Sequence, residues 1–194
     1  MKPLPRIALL TLLATMGSAH AATYTVKSNG SGGDPNTSDT TCSSVAPANA
    51  DTCTLRAAIE QGNAKAGPHT IKFDNAVTKV TLSASLPTVL APVTLDGTVT
   101  NAASGGRVEI DGAMVNGCFS LSDGNTAVNP NGARGSTVKN FVVRRCQGNG
   151  ISLSGHGYTV TGNRVGTNPG ATSRSSASDA NSGTGISVSG TIPV

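Results

Sequence analysis

The sequence predicts an all-β fold, a parallel β-helix that winds one coil per repeat behind a short N-terminal helix. Three observations point there. Past Thr70, apolar and polar residues alternate in short runs, the period of half-buried strands. Gly and Asn turns separate these runs, and with 24 Gly, no Trp and aromatics at 3%, the core has to be built from small and β-branched side chains. Finally, segments align with one another. Thr137-Val-Lys-Asn-Phe-Val-Val143 aligns with Thr159-Val-Thr-Gly-Asn-Arg-Val165, 22 residues on, and Gly150-Ile-Ser-Leu-Ser-Gly155 with Gly185-Ile-Ser-Val-Ser-Gly190, 35 residues on. The longer offset contains a polar insertion, residues 168–182. A unit of this size is too short for a strand–helix–strand crossover and its return. Stacked coils satisfy it, because like strands then line one continuous core. An antiparallel β-sandwich is the rival arrangement of the same strands.

The chain opens with Lys2 and Arg6, an uncharged apolar run over residues 7–16, and the small-residue sequence Ala19-His20-Ala21. This is the pattern of an export signal covering residues 1–21. Its apolar run falls short of the roughly 20 residues a membrane span needs. About 170 residues remain, enough for one domain. Loss of Lys2 and Arg6 brings the formal charge below +4, which excludes a general nucleic-acid binder, since such affinity rests on clustered cations neutralising phosphates. Cys42, Cys53, Cys118 and Cys146 all follow the signal and meet an oxidising compartment, where disulfides are the expectation. With no C-x-x-C pair, and His69 and His156 remote from every cysteine, no metal or other cofactor is expected.

The mature chain reads as an N-terminal cap over residues 22–70 and coils over residues 71–194. Residues 29–50 hold almost nothing to bury and read as a loop. A Cys42–Cys53 bridge would close the end of that loop and stabilise the fold by roughly 2–3 kcal/mol, the alternative being two unpaired thiols. A helix follows over residues 54–64, with Leu55, Ala58, Ile59 and Gly62 on one face, Thr54 as its N-cap and Gly67-Pro68 as its stop. Strands are expected at 71–73, 80–82, 93–95, 108–110, 119–121, 138–143, 151–153, 158–165 and 186–188, with the runs 138–143 and 158–165 each read as one strand. Cys118 and Cys146 are expected to bridge neighbouring coils. The sequence stops at Ile192-Pro-Val194 directly after a repeat strand, which reads as the first part of a longer solenoid.

Cys53-Thr-Leu-Arg-Ala-Ala-Ile-Glu60 resembles the Cys-Ser-Leu-Arg-Glu-Ala-Ile motif of secreted bacterial right-handed parallel β-helix proteins, the CSLREA-type group within the pectate-lyase-like superfamily. Leu86-Pro87, Val93-Thr-Leu-Asp-Gly97, Val108-Glu-Ile-Asp-Gly112 and Gly162-Asn-Arg-Val-Gly-Thr-Asn168 are also similar to that group, so the likeness runs from about Tyr24 to Gly190. The resemblance implies a right-handed coil and a helix that plugs its open end. It also implies a capping box of which this chain keeps Thr54 but has Ala57 in place of the Glu, so Ala57→Glu is expected to add up to about 1 kcal/mol.

Few residues suggest chemistry. Asp96 and Asp111 each stand in an Asp-Gly turn, where two carboxylates serve glycoside hydrolysis or hold Ca²⁺, although Asp-Gly is also an ordinary turn pair. Lys139, Arg144, Arg145 and Arg164 form a candidate basic stripe for an acidic polysaccharide, with Arg164 expected beside Val142 and diagonal to Arg144; a solvated strand face is the plainer reading. His156 reads as an exposed turn residue, with no Gly-x-Ser-x-Gly elbow in the chain. The insertions 123–135 and 168–182 are candidate binding loops, and Asp123 and Asp179 within them are the acidic residues least expected to be held in place. The resulting expectation is a secreted or cell-surface scaffold, non-catalytic in this segment, that binds carbohydrate or mediates adhesion. The alternative is a polysaccharide lyase or glycoside hydrolase. No membrane span is expected in the mature chain.

Overall fold

The computed structural model describes residues 21–115, 117–170 and 178–190. Residues 1–20 of the expected export signal and the last four residues lie outside them. The chain is mainly β, with twelve strands in three sheets and one α-helix, α1 (Leu55–Asn63), among the described residues. The first sheet has the order β1 (Thr23–Val26), β2 (His69–Phe73), β4 (Val93–Asp96), β7 (Thr137–Lys139), β10 (Thr159–Thr161). The second runs β3 (Lys79–Thr81), β5 (Val108–Asp111), β8 (Phe141–Arg144), β11 (Arg164–Val165), and the third β6 (Phe119–Ser122), β9 (Ile151–Ser154), β12 (Ile186–Ser189). Among the described residues all nine pairings between these strands are parallel. Parallel neighbours need a long return connection. Here the return is supplied by strands of the other two sheets: from β4 onward the chain visits first, second and third sheet in turn, three times over.

Both sequence alignments are strand pairings. Thr137 pairs with Thr159 and Ile151 with Ile186, so the 22- and 35-residue offsets each carry a strand onto its neighbour in the same sheet. The inward rows are apolar: Ile71, Leu95 and Val138 follow one another across the first sheet, Val80, Ile110 and Val143 across the second, and Leu121 and Leu153 across the third, all buried. Phe141 packs on Phe73 and Phe119 at ring separations of 5.7 and 5.1 Å. The rows end at β12, where Val188 is 69% exposed.

The two long runs read as single strands each break into two. Asn140, with φ of 60°, separates β7 from β8, and Gly162, with φ of 64°, occupies the same place between β10 and β11. Asn and Gly are the residues that tolerate this left-handed conformation, and one such residue turns the chain from one sheet into the next. The strand β1 was not anticipated; it lies within the segment read as the cap and pairs with β2 in the first sheet.

Thr54 caps α1 by accepting a hydrogen bond from the Ala57 N–H at 3.0 Å. The helix packs against β1 and β2, and its other side lies under the 29–50 loop: the Arg56 Nε donates to Ser31 O at 3.0 Å, and Gln61 Nε2 to Asp39 O at 2.6 Å. Ala57 is consequently fully buried. The stabilisation expected of Ala57→Glu therefore reverses, because the added carboxylate would have to be desolvated. Both expected disulfides are present, Cys42–Cys53 and Cys118–Cys146, with Cα separations of 5.1 and 5.7 Å. They suit a chain that folds in an oxidising environment. No helix among the described residues is long and apolar enough to cross a membrane.

Candidate functional site

Charged side chains converge on the outward face of the second sheet. Alternation along β5 turns Val108 and Ile110 into the core and Glu109 and Asp111 outward. The register sets Lys79 beside Glu109, and Arg144 beside Asp111. Lys79 Nζ lies 3.0 Å from Glu109 Oε1 and 2.8 Å from Asp111 Oδ2. Arg144 reaches Glu109 Oε1 through Nε at 2.8 Å and Nη2 at 2.7 Å, and its Nη1 bonds Asp179 from the second insertion. The chain after β5 turns sharply at Ala113 and Met114, both with positive φ, and Ala113 N–H donates to Asp111 Oδ1 at 3.1 Å. Arg145, also at positive φ, brings its Nε to the same oxygen at 3.1 Å. Three cations thus cover three carboxylates, and the Asp111 side chain is only 3% exposed.

At Asp111, Lys79 and Arg144 burial works against charge, and hydrogen bonds and opposite charges outweigh it. Burial pushes the Asp111 carboxyl up, but Lys79, the Ala113 N–H and Arg145 hold it below the usual carboxylate range. Burial pulls the Lys79 ammonium down while Asp111 and Glu109 raise it above its ordinary value, and Arg144 is raised in the same way by Glu109, Asp111 and Asp179. A glycosidic general acid needs the opposite, a carboxyl held protonated near neutral pH. As arranged, the cluster clamps β3, β5, β8 and the segment carrying Asp179 together.

The four basic residues of the expected stripe are not brought together. Arg144 and Arg145 belong to this cluster. Lys139 lies on the first sheet, 3.0 Å from Asp96 Oδ2. Burial opposes the Asp96 charge, but bonds from Thr98 and Lys139 keep that carboxyl below its ordinary range. Arg164 sits beside Val142, as expected, but its Nη1 donates to the carbonyls of Ser104 at 3.2 Å and Pro169 at 2.8 Å. Asp96 and Asp111 stand on different sheets.

The insertions hold their acidic residues more firmly than the sequence suggested. Asp179 is bound to Arg144, and Asp123 Oδ2 lies 3.0 Å from His156 Nδ1. His156 is half-buried instead of freely exposed. Nearby, Tyr158 donates to Ser154 O at 2.8 Å, and burial together with Asp123 pushes its phenol up to about 12. The Lys79–Glu109 half of the cluster was missed. Its signal was the acidic alternation of Val108-Glu-Ile-Asp111, which becomes meaningful only once the register of β3 is known. Among the described residues no group of three or more His, Cys, Asp or Glu side chains is placed to hold a metal ion.

The fold and the cluster together define a mainly β protein of parallel sheets whose buried charges cross-link its strands. Comparison with models of known protein families, with curated proteins and with solved structures finds no match.

Proposed function

We propose that this chain is an exported right-handed parallel β-helix of the CSLREA-type group, and that it serves as an extracellular or cell-surface scaffold, without catalysis in this segment, whose outer faces bind carbohydrate or mediate adhesion. The observation that carries the reading is the state of the clustered carboxylates: Glu109, Asp111 and Asp179 are each engaged by Lys79, Arg144 or Arg145, so their charge is spent on holding strands together. The threefold order of sheet visits supports the coiled architecture, and the two disulfides support export.

The test is a screen of the purified chain against pectin, alginate and related polymers, with binding read by co-sedimentation and turnover by release of unsaturated or reducing ends. Binding without turnover is expected. Turnover that disappears in Asp111→Ala would replace this reading with that of a polysaccharide lyase or glycoside hydrolase acting through the second sheet. Absence of both binding and turnover would remove the carbohydrate part of the proposal.

A further inference from the structure

We propose that the Cys42–Cys53 disulfide is a redox-sensitive clasp, whose reduction by a dithiol frees the 29–50 loop from the N-terminal end of the fold and uncovers the outer edge of β1. Both half-cystines line an open cleft of about 340 Å³, together with Thr23, Tyr24, Thr25 and Thr41. Cys42 and Cys53 are 6% and 1% exposed, so the bridge lies in the wall of this cleft and a small dithiol can approach it from that side. Cys118 and Cys146 are not among the residues lining this cleft; they join successive layers of strands, and Cys146 is fully buried.

The loop that the clasp closes is joined to α1 and its flanking residues by hydrogen bonds to loop carbonyls: Thr54 Oγ1 to Gly32 O, Arg56 Nε to Ser31 O, Gln61 Nε2 to Asp39 O and Lys65 Nζ to Ser38 O. Once the loop parts, water can take over each of these bonds, and the small apolar surface that the loop covers at Ala57 is what opposes release. Beneath the loop lies an edge. β1 pairs with β2 on one side only, and its other side faces the cleft. Opening the loop would expose the unpaired N–H and C=O groups of this edge to water.

The exchange balances without further reactants. A thiolate of the dithiol attacks Cys42 Sγ, the more exposed of the two sulfurs' residues, and Cys53 leaves as a thiolate that takes up a proton. The second thiol of the reagent then displaces Cys42 from the mixed disulfide. The dithiol ends as a disulfide, and Cys42 and Cys53 end as thiols.

Graded reduction of the native chain with dithiothreitol, quenched by alkylation and read by mass spectrometry, tests the order of opening. Cys42 and Cys53 should be labelled at least about tenfold faster than Cys118 and Cys146. At the stage where only the first bridge is open, amide hydrogen exchange should rise across residues 29–50 and β1 while β8 and β9 stay protected. Simultaneous opening, earlier opening of Cys118–Cys146, or a loop that stays protected after Cys42–Cys53 has opened would each overturn the proposal. The variant Cys42→Ser/Cys53→Ser should show the released exchange pattern without reductant, and a protected loop in it would also count against the clasp. If that variant does not fold, graded reduction of the native chain still decides.

Discussion

Replacing Asp111 by Asn keeps the shape of the side chain and removes its charge, which isolates the electrostatic part of the second-sheet cluster. Asp111 Oδ1 accepts from Ala113 N–H and faces Arg145 Nε, while Oδ2 faces Lys79 Nζ at 2.8 Å. Asn retains the backbone bond but leaves three cations facing two anions, and its amide turns a donor or a weaker acceptor toward Lys79. A charge-assisted hydrogen bond contributes about 1.5–3 kcal/mol when well shielded. Lys79 and Arg145 are 42% and 39% exposed, however, so water screens their share toward the value of about 0–1 kcal/mol seen for surface pairs. A total loss of about 2 kcal/mol follows, equivalent to roughly 4–8 °C in Tm for a chain of this length. The pH dependence fixes the mechanism. Because the folded-state carboxyl lies below its usual value of 3.8, its stabilisation is present above that value and is lost as the pH falls through the folded pKa. Thermal melts of wild type and Asp111→Asn should therefore differ at neutral pH, converge as the medium is acidified below 3.8 and through the lowered folded pKa, and draw closer in high salt. Equal stability at neutral pH, or a gap unchanged by acid, would refute the reasoning.

Thr54→Ala removes the acceptor for Ala57 N–H and should cost about 1 kcal/mol, read as a lower urea midpoint. Ala57→Glu should lower stability by about 2–4 kcal/mol despite completing a capping box, because residue 57 is fully buried; a higher Tm would show that the loop yields. At Gly97, a Cβ would stand 2.5 Å from Asn140 O and 2.7 Å from the Phe141 ring, so Gly97→Ala should cost about 1–3 kcal/mol, and an unchanged denaturant midpoint would contradict the close approach of these layers. The chain has two tyrosines, and Tyr158 should not ionise until about pH 12 in the folded protein. Its contribution to stability is full below the ordinary value of 10.0 and is lost as the pH rises through the folded pKa; a phenolate absorbance titration in which both tyrosines ionise near 10 would exclude this environment.

Most of the strand positions and the two repeat registers were legible in the sequence because each is a local property that repeats. Phe119-Ser-Leu-Ser122, Ile151-Ser-Leu-Ser154 and Ile186-Ser-Val-Ser189 carry the same alternation, and the same alternation places them side by side in the third sheet. The helix with its Thr54 cap and the two disulfides were legible for similar reasons, from spacing and compartment. The corners at Asn140 and Gly162 were not, since a single left-handed residue leaves the hydrophobic period of a short run nearly intact. Nor was the fate of the charges. Lys79, Glu109, Asp111, Arg144 and Asp179 are scattered over a hundred residues of chain, and each alone reads as a solvated polar position. The sequence by itself determined which residues alternate inward and, where segments repeat, which strands stack, because alternation and repeat length are written along the chain. Only the tertiary structure decided which outward charges meet, because that depends on the turns and insertions that set one layer over the next.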